Sequence, residues 1–298
     1  MSELASKPSA LGAWLLATRP KTLVAGVVPV SVGSALAFRA GGFHWLPALA
    51  ALVGALLIQV GTNLANDYYD FRRGADTSAR LGPARATQQG WLAPKSVLGG
   101  ALACFGLAML VGLYLVAVAG APILVVGLVS IAAGYAYTGG PFPLAYHGLG
   151  DVFVLVFFGF VAVGGTYFVQ VGSLTPTVLF AAVPVGLLGV ALLAVNNTRD
   201  AGTDAAAGKR TLVVRWGVGF GRAEYLACLA LSVLVPVILV VTQRASGWAL
   251  LALIALPLAI APARRLLTQS GPTLNQALAE TARLQLVYGF LYAVGLAQ

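Results

Sequence analysis

Charge is what this sequence has least of. Only 9% of its 298 residues are charged, while 59% are hydrophobic. A soluble domain carries about 25% charged residues, so a water-facing surface cannot be covered by this composition. Histidine is nearly absent, with His44 and His147 alone in loops and no second ligand at metal spacing. No Ser-His-Asp or Cys-His arrangement, P-loop or dinucleotide fingerprint is present. The two cysteines, Cys104 and Cys228, fall inside apolar runs and read as small buried hydrophobes rather than as metal ligands. The net charge of +9 does not indicate nucleic acid, because the basic residues are scattered through short loops between apolar runs.

What is abundant is long uncharged sequence. A bilayer span needs about 20 apolar residues because the hydrocarbon core is about 30 Å thick. Nine spans are expected, near 14–38, 47–69, 96–118, 121–138, 149–171, 177–198, 222–242, 247–266 and 277–297. They form one membrane domain over 1–298, with approximate halves at 14–138 and 149–266 and a last helix at 277–297. The many glycines (36) suit close helix approach in lipid. No cleavable leader is expected, since the first ten residues are polar and the first apolar run is interrupted by Arg19-Pro20-Lys21. With the N-terminus placed in the cytoplasm, all the basic residues from Lys7 to Arg283 fall inside except Arg39 and Arg244. This orientation puts the C-terminus outside, and a cell (inner) membrane is the expected location. Trp14, Trp45, Trp91, Trp216 and Trp248 lie near span ends, as an interfacial belt requires.

The acidic residues carry the chemical signal. All nine, from Glu3 to Glu280, fall on the expected cytoplasmic side, and most of them sit in two clusters. The first runs Asn63-Leu-Ala-Asn66-Asp67-Tyr68-Tyr69-Asp70-Phe-Arg72-Arg73-Gly74-Ala-Asp76. The second runs Asn196-Asn197-Thr-Arg199-Asp200-Ala-Gly-Thr-Asp204 through Lys209-Arg210-Thr211. Residues three and four apart share a helix face, so Asn63, Asn66, Asp67 and Asp70 form one polar stripe and Asn196, Asp200 and Asp204 another. Crowded carboxylates with basic residues beside them are the ingredients of a Mg²⁺-bridged diphosphate site. Ordinary helix caps are the plain alternative, and two similar clusters on one membrane face weigh against it. A proton or ion pathway, or a transporter of an anionic substrate, would place charges near the midplane, where none is found.

These clusters resemble the UbiA superfamily of intramembrane prenyltransferases, marked by two N-x-x-x-D-x-x-x-D motifs. Asn196, Asp200 and Asp204 match the second motif; Asn66 and Asp70 match the first, whose next Asp falls on Gly74, with Asp76 two residues on. Within the superfamily the branch acting on 1,4-dihydroxy-2-naphthoate in menaquinone biosynthesis is the most similar. Arg19–Leu23, Asn63–Phe71 with Leu81–Arg85, Tyr137–Pro141 with Gly148–Asp151, and Asn196–Leu212 carry that likeness, over about 14–220. The resemblance implies an all-α fold of about nine transmembrane helices around a central cavity. It implies transfer of a polyprenyl group from its diphosphate to the naphthoate with loss of CO₂. Mg²⁺ is its implied cofactor, held by Asn63, Asn66, Asp67, Asp70, Asp76, Asn196, Asp200 and Asp204, with Asp67, Asp70, Asp200 and Asp204 catalytic. Lys21, Arg72, Arg73, Lys209, Arg210 and Asn197 would join Asn66 and Asn196 at the diphosphate. Tyr68, Tyr137, Asp151 and Arg199 are the candidates toward the aromatic acceptor, with Lys21 an alternative to Arg199 for its carboxylate. Other acceptors, such as 4-hydroxybenzoate or homogentisate, stay open.

Overall fold

The computed structural model describes residues 8–77 and 80–298; Glu3 and Lys7 lie outside them. Among these described residues eleven helices follow in order: α1 (Ala10–Ala17), α2 (Val24–Arg39), α3 (Trp45–Arg72), α4 (Pro94–Ala119), α5 (Ala121–Ala136), α6 (Gly150–Val171), α7 (Pro176–Ala206), α8 (Leu212–Trp216), α9 (Val218–Val241), α10 (Pro257–Thr268) and α11 (Leu274–Leu296). A 3₁₀ segment, Gly247–Ala255, precedes α10. Among the described residues there is no strand.

Local chemistry sets the boundaries. Pro94 and Pro176 occupy first turns, where a missing N–H removes nothing. The Thr175 hydroxyl accepts from the Val178 N–H and caps α7. Gly120, with φ of 82°, reverses the chain between α4 and α5 in a backbone region that side-chain-bearing residues seldom adopt.

Each expected span is helical, but the count of nine is not established. Among the described residues five helices are long and apolar enough to cross a membrane, or up to seven if each bent pair is one span. Span one is broken by 50° between α1 and α2, and span eight by 44° before Pro257. Proline explains both breaks, because it supplies no N–H and crowds the preceding turn. Helix α5 is short, and α11 carries Asn275, Gln276, Glu280, Arg283 and Gln285 along its length. The sixth span continues beyond its expected end, so the whole second motif is helical within α7.

Packing joins the two halves. Helix α2 lies against α6 and α11, while α11 also packs on Gly247–Ala255, α7 and α10. The α2–α6 approach depends on Gly33, where an added Cβ would strike the Val163 carbonyl and Thr166. Gly159 and Gly186 do the same for α6 and α7, since a Cβ on Gly186 would lie 2.8 Å from the Leu155 carbonyl. Leu155–Val161 is π-helical, a widened turn at this crossing. Trp45, Trp216 and Trp248 are exposed, whereas Trp14 and Trp91 pack against the Leu64–Val97–Phe105 core.

Candidate active site

The two Asp motifs end α3 and α7 at the same end of the bundle. Lys209, just beyond α7, lies between them, its Nζ 3.6 Å from Asp70 and 3.5 Å from Asp204. Burial by itself would lower the Lys209 ammonium, but Asp70 and Asp204 more than offset this and its pKa is raised.

The first stripe divides. Asp67 accepts from the Ala86 and Thr87 N–H groups at 3.1 and 3.4 Å and from the Thr87 hydroxyl. It thereby pins the loop after α3 to the helix. Asn63 donates to the Thr18 carbonyl at 2.8 Å and the Thr22 hydroxyl at 2.9 Å, pinning the α1–α2 break. Asn66 accepts from Thr138 at 2.6 Å. Asp70 is the member that meets the second motif; it also accepts from Tyr146 at 2.8 Å and from Arg85 at 3.2 Å. Asp76 pairs with Arg80 and, at 3.3 Å, with Arg85. Burial pushes the Asp76 carboxyl up to about 6 against the pull of Arg80.

The second motif is tied within itself. Arg199 grips Asp200 with two nitrogens, at 2.8 and 2.6 Å, and also donates to Asn196 and Asn275. Asn275 in turn donates to the Leu81 carbonyl at 2.8 Å, so α11 holds the loop that Asp67 holds from the other side. Asn197 is buried. Arg73 donates to the Gly140 carbonyl at 2.7 Å and lies over the Tyr146 ring. Lys21, Arg72 and Arg210 are exposed and make no ion pair among the described residues.

The eight expected metal donors differ in the contacts they make. Among the described residues no three His, Cys, Asp or Glu side chains stand together as a metal set. The helical stripe fixes a common face, but the partners differ: Asp67 and Asn63 bond the frame, Lys209 and Arg85 each stand between two carboxylates, and Arg199 holds Asp200. The donor chemistry nevertheless fits a divalent ion, since acids of both motifs converge on one cationic centre.

Beyond this polar end lies an apolar cavity of about 250 Å³ between α2, α3, α4, α5 and α6. Tyr137, Gln59 and Thr62 line it toward the Asp motifs, and Val116, Ile123 and Val169 line it at the opposite end. Tyr68 is instead stacked edge-on against Tyr69 at 5.0 Å. Asp151 starts α6; it is 6% exposed and its Oδ1 has no hydrogen-bond partner among the described residues. Sequence reasoning missed Arg85, Tyr146, Thr87 and Asn275. Arg85 closes the recognised Leu81–Arg85 stretch, whereas no spacing rule marks Tyr146 or Asn275.

Comparison with known proteins agrees with this architecture. The model of the UbiA prenyltransferase family matches residues 26–287. The chain is 39% identical over 292 residues to the 1,4-dihydroxy-2-naphthoate octaprenyltransferase of Escherichia coli K12, covering 95% of this chain and 94% of that one. In fold it is similar to a UbiA homologue from Aeropyrum pernix K1, with a TM-score of 0.72 at 15% identity over 93% of this chain and 98% of that one. It is likewise similar to a UbiA homologue from Archaeoglobus fulgidus solved with DMAPP and Mg²⁺, with a TM-score of 0.65 at 16% identity over 94% and 99%. An apolar bundle with two Asp motifs meeting over a greasy chamber, and a family match along most of its length, make this chain an integral membrane enzyme belonging to the UbiA prenyltransferase family.

Proposed function

We propose that the protein transfers a polyprenyl group from its diphosphate to 1,4-dihydroxy-2-naphthoate with loss of CO₂, using Mg²⁺. The observation that carries this reading is the meeting of Asp70 and Asp204 around Lys209 beside the apolar cavity. The relative from E. coli bears that activity in its name, and the A. fulgidus homologue was solved with a prenyl diphosphate and Mg²⁺.

Asp70, Asp76, Asp200 and Asp204 would hold Mg²⁺, which when bound neutralises diphosphate oxygens and so stabilises charge growing on the leaving group. Lys209, Arg85 and Arg73 add fixed positive charge at the same place, and Arg72, Arg210 and Lys21 add a weaker field from the exposed rim. The allylic C–O bond breaks with its electron pair leaving on the diphosphate. The cavity walls keep water from the resulting carbon cation. The tyrosine ring of Tyr137 presents an electron-rich face to it. The naphthoate ring supplies the pair for the new C–C bond and takes back the pair left by departing CO₂, so the prenyl group replaces CO₂ overall. Asp151, buried near Tyr137, orients an acceptor hydroxyl. The excess of basic residues at the motif end supports a cytoplasmic site in the cell membrane.

The test is diphosphate release by purified protein given a polyprenyl diphosphate, with and without Mg²⁺, across a panel of aromatic acids. Mg²⁺-dependent release with the naphthoate, accompanied by CO₂, is the expected result. Release with another acid alone would replace the acceptor, and Mg²⁺-independent turnover would remove the metal.

A further inference from the structure

The naphthoate is an anion, and an apolar chamber needs a cation to hold its carboxylate. The two residues that the sequence offered do not suit. Arg199 is committed to Asp200, Asn196 and Asn275, and Lys21 is exposed.

Arg19 differs from the other cations near the motifs that are not exposed. Arg80, Arg85, Arg199 and Lys209 each pair with a carboxylate. Arg19 makes no ion pair among the described residues, and its guanidinium has only a long contact, 3.5 Å, to the Asn63 carbonyl. Asn63, which it contacts, accepts from Gln59 at 3.4 Å and follows Thr62 in the chain, and both Gln59 and Thr62 line the cavity. Arg19 therefore stands beside the end of the cavity wall nearest the Asp motifs.

The backbone at Arg19 is equally unusual. Its φ of 53° and ψ of 70° are left-handed, which costs any residue with a Cβ. Only one other described non-glycine residue, Gln243, has positive φ. The turn is fastened from α3: Asn63 bonds Thr18 and Thr22, which flank it, and the Thr22 hydroxyl donates to the Arg19 carbonyl at 2.9 Å. A strained backbone held by its surroundings marks a side chain that must point one way.

We infer that Arg19 is the carboxylate-binding residue of the acceptor pocket, its planar fork pairing with the naphthoate carboxylate while Asn63 holds the strained turn that aims it. This rests on the aromatic-acid reading above. It also makes Asn63 a positioning residue rather than a metal ligand.

The test measures KM for the naphthoate and for the prenyl diphosphate separately in wild type, Arg19→Gln, Arg19→Lys and Arg19→Gly, with 1,4-dihydroxynaphthalene as a carboxyl-free probe. The expected result for Arg19→Gln is a naphthoate KM raised on the order of 10- to 100-fold, the loss of one charge-assisted pair. The prenyl diphosphate KM and the turnover of the probe stay unchanged. Arg19→Lys keeps the charge without the fork and falls between. Arg19→Gly loses the acceptor affinity but melts no lower than wild type, because glycine adopts the turn freely. It therefore carries the test if Arg19→Gln does not fold. A rise confined to the prenyl diphosphate KM would make Arg19 a phosphate ligand, and equal rises or none would equally overturn the inference. Wild type that prenylates no aromatic acid would overturn the acceptor reading itself, whereas active wild type beside an unaltered Arg19→Gln overturns only the role of Arg19.

Discussion

Helices α3 and α7 end in similar motifs and do different work. In its most apolar 18 residues α7 is 72% buried, whereas α3 is 28% buried. Helix α3 lines the cavity and α7 does not. The acids follow the same division. Those of the first motif reach outward into the 74–92 loop, through Asp67 to Thr87 and Asp70 to Arg85. Asp200 of the second motif is gripped by Arg199 of its own helix. Two copies of one signature thus became a cavity wall with a loop strapped over it and a buried post facing it.

The sharpest way to break this contrast is at the point where it vanishes. Asp70→Ala and Asp204→Ala should each lower kcat on the order of 10²–10³-fold, as loss of transition-state charge stabilisation does, with membrane insertion intact in a fluorescence size-exclusion assay. A strong defect in one and not the other would make the motifs functionally unequal. Leu188→Ala, a buried position on α7, should then destabilise by about 2–5 kcal/mol, read as a fall in melting temperature. Lys209→Ala should raise the prenyl diphosphate KM about tenfold, the worth of a charge-assisted contact, and the acceptor KM little; equal rises would make Lys209 a general scaffold cation. Gly112→Leu, on the cavity wall where an added Cβ meets nothing within 4 Å, should leave melting unchanged and shorten the longest prenyl chain accepted. Smallest of all, Arg72→Ala should alter KM values by less than about threefold, since exposed charges contribute only about 0–1 kcal/mol.

The helices were legible because lipid demands long apolar runs, and both spans that bend do so at prolines visible in the sequence. The site was legible as two polar stripes at one end of the bundle. Its internal wiring was not. Periodicity assigns Asp67 and Asp70 to one face, yet cannot say that one meets the Thr87 hydroxyl and the other Lys209, because those partners arrive from a loop and a distant helix end. Arg19 was hidden for a different reason: beside Pro20 and Lys21 it reads as a topology anchor, and only its backbone conformation sets it apart.

The bond from Asn275 to the Leu81 carbonyl also bears on the order in which the molecule comes into being. The loop that straps the Asp motifs is finished by a residue at the start of α11, C-terminal to both motifs. A chain emerging from the ribosome holds both motifs long before it holds this clasp. Its catalytic mouth is completed only once α11 has been made, so chains that have not reached it carry the acids in the membrane without a closed site around them.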